Sequence, residues 1–143
     1  MTHDSWHLRL WLASSRGETH LIQWLLQSKA NPDVGLQGAA QFGHTDTARE
    51  LLAHKADVRA RGWDGEPDCA FRSAAKNGHT ETVRVLLDHK ADVHVCDGNG
   101  KRYPILINAA RNGMISIVDL LIQNGADPLD LCAQGMVDGA DLV

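Results

Sequence analysis

The feature that most constrains this chain is self-similarity. Three segments, AAQFGHTDTARELLAHKADV from Ala39, AAKNGHTETVRVLLDHKADV from Ala74 and AARNGMISIVDLLIQNGADP from Ala109, align without gaps at a spacing of 35 residues. A fainter copy, ASSRGETHLIQWLLQSKANP, begins at Ala13, only 26 residues before Ala39. A fixed period of this length marks a chain made of one small supersecondary unit used several times. Such a unit cannot bury its own apolar face, so copies must stack.

Each copy has the same physical logic. The Ala pair belongs to a first helix, where small side chains let neighbouring helices approach closely. Gly43, Gly78 and Gly113, with Gly17 in the first copy, end that helix where a left-handed residue is wanted. Thr45 and Thr80 follow two residues later and are expected to cap a second helix. That helix carries apolar positions at spacings of three and four: Ala48, Leu51 and Leu52; Val83, Leu86 and Leu87; Val118, Leu121 and Ile122. The A-D-V or A-D-P that follows starts an extended return, with turns at Asp64–Gly65 and Asn99–Gly100.

The core A-A-x-x-G-H-T-x-T-V-x-x-L-L-x-x-x-A-D-V, nearly complete at residues 74–93, resembles the ankyrin repeat family, and the resemblance runs over residues 8–128. It implies an all-α, ankyrin-type solenoid of stacked helix-turn-helix repeats with short β-hairpin fingers. Residues 1–143 are expected to form a single domain, with repeats at approximately 5–31, 32–57, 58–92 and 93–127 and an acidic C-terminal cap or tail at 128–143.

The departures from the family pattern are specific. The T-P-L-H opening is replaced by Cys69-Ala70-Phe71-Arg72 and Pro104-Ile105-Leu106-Ile107, yet Leu36, Phe71 and Leu106 keep the 35-residue spacing of the buried leucine. The period exceeds the family's ~33 residues, so the later fingers should be longer. NPDVGLQG, between the first two copies, is too short for a full finger. The glycine before A-D survives only as Gly125, with Lys29, Lys55 and Lys90 in the other copies. If the left-handed conformation persists there, each lysine costs up to ~1 kcal/mol. A cation near the helix C-terminus offsets part of that.

Charge excludes some functions. Four of the 18 acidic residues (Asp127, Asp130, Asp138 and Asp141) lie in 127–143, which has no Lys or Arg, so the remaining 14 acids balance the 14 bases. The net charge of -4 makes the chain a poor generic binder of nucleic acid. Cys69, Cys96 and Cys132 are odd in number and widely spaced, which indicates neither a disulfide framework nor a zinc ribbon. No apolar run reaches the ~18 residues of a membrane span. The charged N-terminal segment does not read as a signal peptide, and a reducing cytoplasm is the expected compartment.

Candidate chemistry is sparse. His44 and His79 hold the family's G-H position, which implies a structural role in bridging neighbouring loops. His89, His94, Cys96 and Asp97 are metal-ligand types, but no second cluster completes a tetrahedral site. CDGNGKRYP lacks the G-x-x-x-x-G-K-[ST] pattern of a phosphate loop. No catalytic residue, metal or cofactor is therefore assigned.

The resemblance implies protein binding through finger tips and exposed first-helix positions. Carried over position by position, the partner-binding candidates are Arg59, Arg61 and Trp63 on one finger and Lys101, Arg102 and Tyr103 on the next. Phe42, Arg72, Lys76 and Arg111 come from the first helices, and Ile107 shares the place of Arg72. The surplus of cations points to a partner protein with an acidic patch or peptide, recognised by a chain that is a monomer when free. Trp63 stacking on a base, with Arg61, Lys101 and Arg102 on phosphate, is the alternative: a small nucleotide or oligonucleotide. Trp6, Trp11 and Trp24 are expected to close the open end of the first repeat.

Overall fold

The computed structural model describes residues 3–62, 65, 69–95 and 104–129. Among these lie eight α-helices in four pairs. They are α1 (His3–Arg16) with α2 (Thr19–Gln27), α3 (Pro32–Phe42) with α4 (Thr45–Ala53), α5 (Cys69–Lys76) with α6 (Thr80–Asp88), and α7 (Ile105–Arg111) with α8 (Ile115–Gln123). The first helices α1, α3, α5 and α7 stack in one layer, and α4, α6 and α8 follow each other in a second. No strand occurs among the described residues. The expected hairpin fingers fall largely on 63–68 and 96–103, outside or at the edge of what is described.

The core is the apolar stripe read from the sequence. Leu36 and Phe71 are fully buried and Leu106 nearly so, with Leu10 in the same place in the first repeat. Ala48, Leu51, Val83, Leu86 and Leu121 are buried, while Val118 and Ile122 pack partly against them. Removal of such side chains from water is the main stabilising term for repeats of this kind.

Each helix pair turns on a left-handed glycine. Gly17, Gly43, Gly78 and Gly113 have φ of 70–75°. The residue after each glycine donates its N–H to the carbonyl of Ala13, Ala39, Ala74 or Ala109 at 2.9–3.0 Å. The first alanine of the pair therefore closes the helix as well as packing it. His44 and His79, rather than the threonines, stand at the N-caps, and they cap through backbone alone. Thr45 is the first helical residue, and its hydroxyl meets that of Thr82 in the next repeat at 2.9 Å. The threonine serves inter-repeat packing and not capping.

The left-handed lysines are real. Lys29, Lys55 and Lys90 have φ of 64°, 65° and 69°. Before each, the C-cap side chain reaches back one turn: Ser28 to Trp24, His54 to Glu50 and His89 to Val85, with Asn124 doing the same to Leu120, all at 2.7–3.1 Å. Each of these carbonyls also accepts the backbone N–H of the same C-cap residue, so the side chain adds a second bond to the last turn.

After each second helix, the Asn or Asp of A-N-P, A-D-V or A-D-P accepts the N–H two residues on. Asn31 takes Asp33 at 3.0 Å, Asp57 takes Arg59 at 2.9 Å, Asp92 takes His94 at 2.8 Å and Asp127 takes Leu129 at 2.9 Å. At Asn31 this bond is a helix N-cap, because Pro32 follows with its ring set for the first helical turn. The chain therefore passes directly from the first repeat into α3, and the short NPDVGLQG segment is helix rather than finger.

Without a finger, α3 lies close on α1. A β-carbon at Gly35 would fall 2.8 Å from Ser14 Oγ, and one at Gly38 would fall 2.8 Å from the Trp11 carbonyl oxygen. The two glycines, three apart on one helical face, let the backbones approach. Ser14, where other copies have the second alanine, is buried without a hydrogen-bond partner for its hydroxyl.

Candidate functional site

The candidates fall into three groups. Trp63, Lys101, Arg102 and Tyr103 lie outside the described residues, as do Cys96 and Asp97. The finger arginines are exposed but engaged: Arg61 donates from Nη1 to the Gly65 carbonyl at 2.7 Å, and Arg59 faces Asp92 at 4.0 Å. The third group sits on the first-helix layer and is the best defined.

Phe42, at the end of α3, is 49% exposed and meets Trp11 edge-on, with ring centroids 6.2 Å apart. Trp11 also lies over Gly38. It therefore packs toward the second repeat and does not close the open end. Trp6 and Trp24 serve that end: their rings pair at 5.6 Å, with Arg9 stacked 5.8 Å above Trp6. Leu21 and Trp24 align with Thr82 and Val85, which the preceding repeat buries; with no described repeat on their side, they stay exposed.

Arg72 and Lys76, one turn apart on α5, border a cleft of about 190 Å³ between α5 and α7. Ala75, Ala109 and Ile105 supply apolar lining, and Asn108, Asn112 and Met114 are the other described lining residues. None of these residues is acidic. Arg111 is exposed at the end of α7. Ile107, placed with Arg72 by the repeat alignment, is buried and contributes no surface.

The histidines explain how the layer is held. His44 donates from Nε2 to the Ser15 carbonyl at 2.8 Å, and His79 to that of Gln41 at 3.0 Å, with Asn77 donating to the same oxygen at 3.1 Å. These are the loop bridges expected from the G-H position. The fourth repeat has Met114 there, which can donate no such bond, and Asn108 and Met114 are the cleft residues that sequence reasoning missed. The signal was present: Met114 is the one break in G-H across the three gapless copies.

Among the described residues no three His, Cys, Asp or Glu side chains gather as a metal site, and no helix is long and apolar enough to cross a membrane. A comparison with curated proteins finds no match. The family model for ankyrin repeats matches in three copies, over residues 10–95 and 36–132. With paired helices, left-handed turn glycines and histidine bridges all at the repeat spacing, the chain belongs to the ankyrin repeat family.

Proposed function

We propose that this chain is a non-enzymatic module that binds another protein through its first-helix layer and finger tips, as an adaptor, inhibitor or targeting subunit. Ankyrin repeats are in general protein–protein interaction modules and typically not enzymes. The observation that carries the reading here is the pairing of Arg72 and Lys76 on one cleft, among whose described lining residues there is no acid. Cations massed on a surface steer and select acidic partners, so the partner presents an acidic patch or peptide. Phe42, half-exposed on Trp11 in the same first-helix layer, adds the kind of aromatic anchor enriched at binding hot spots.

Affinity capture from a cell extract tests this. The wild-type chain should retain partners that salt releases, and the double variant Arg72→Glu/Lys76→Glu should lose them. Equal retention by both would overturn the acidic-partner reading.

A further inference from the structure

The cleft between α5 and α7 has a structural cause that points to a use. At the first two junctions between repeats, an imidazole reaches back to the carbonyl of Ser15 or Gln41 and ties successive loops together. The equivalent carbonyl at the third junction is that of Lys76, and the equivalent side chain is Met114. A thioether donates no hydrogen bond, so this junction lacks the bridge. The methyl of Met114 instead rests near Gly78, 3.5 Å from where a β-carbon would be, whereas a β-carbon on Gly43 would lie 2.5 Å from His79 Nδ1. The cleft described above lies at this junction.

We propose that this cleft is a specificity pocket for a single glutamate side chain of the partner protein. This deepens the binding role proposed above and rests on it. A volume of about 190 Å³ is below the ~300–1,000 Å³ of cofactor and drug-sized sites. It suits one side chain. Ala75, Ala109 and Ile105 offer an apolar lining for an aliphatic stem, Arg72 and Lys76 offer cations for its carboxylate, and Asn108 and Asn112 lie in the same cleft as amide donors. The replacement of histidine by Met114 is thus the step that exchanges a structural bridge for a binding pocket.

The test uses a phage-displayed library of random twelve-residue peptides, selected on the full chain. The selected peptides should share one glutamate, and its change to glutamine should weaken binding at least tenfold. Met114→His, which restores the bridge across the cleft, should unfold at or above the wild-type temperature yet bind these peptides at least tenfold more weakly. Lys76→Gln, at an exposed position, should weaken them similarly and carries the test if Met114→His does not fold. Peptides without a shared acid, or full binding to Lys76→Gln and to a folded Met114→His, would overturn the pocket. If those peptides still depend on Phe42 and Arg111, the broader binding role stands and only the pocket falls. A library that yields no peptide overturns both.

Discussion

The imidazole of His79 lies across Gly43 of the preceding repeat while its Nε2 donates to the carbonyl of Gln41. His44 repeats the arrangement on Gly17 and Ser15. The turn glycine is thus required twice at these junctions, once for its positive φ and once for the ring above it.

These two demands can be separated. Gly113 shares the positive φ but has no described atom within 4 Å of a would-be β-carbon. Gly113→Ala should cost about 1 kcal/mol, from left-handed strain alone. Gly43→Ala must also displace the His79 ring and its bond, and should cost about 2–4 kcal/mol. Urea unfolding of the two variants measures the difference; equal losses would mean that the ring contact adds nothing.

The left-handed lysines predict gains. Lys29→Gly, Lys55→Gly and Lys90→Gly should each stabilise by about 0.5–1 kcal/mol, since relief of strain outweighs the added flexibility of the unfolded chain. The sites lie in different repeats, so the effects should add. The triple variant should melt roughly 5–10 °C higher. A lower melting temperature would show that the lysine side chains contribute more than their strain costs.

Ser14→Ala should stabilise by about 1 kcal/mol. The buried hydroxyl has no partner, so its desolvation is uncompensated, and alanine is also the better helix former. Chemical denaturation with an unchanged m-value would establish that native stability alone has moved.

Gly38→Ala should do the reverse. The new β-carbon meets the Trp11 carbonyl oxygen, a backbone atom that cannot swing aside. Overpacking of about 1–3 kcal/mol exceeds the ~1 kcal/mol helix advantage of alanine. The Trp11–Phe42 pair should shift with it, so near-ultraviolet circular dichroism should change along with stability.

What the sequence revealed, and what it hid, follows from the range of each interaction. The apolar stripe, the buried series of Leu36, Phe71 and Leu106, the turn glycines and the histidine bridges were legible, because each depends on residue type at a fixed place in the repeat. The left-handed lysines were legible for the same reason. The packing of Trp11 on Phe42, the Thr45–Thr82 contact and the cleft were not. They depend on how far apart two successive helices sit, which residue type at a fixed place in the repeat does not give. The finger residues Trp63, Lys101, Arg102 and Tyr103 rest on the family pattern alone.

The four side-chain bonds that follow the second helices have a consequence for how such a chain changes length. Asn31 and Asp57 accept the same N–H, two residues on, yet one opens a helix at once and the other opens a connector to α5. The corner is indifferent to what comes next, and at Asn31 a proline set for the first helical turn follows it. A connector can therefore be deleted or extended at this point while the helices on either side keep their register. The 26-residue and 35-residue spacings are two settings of one joint.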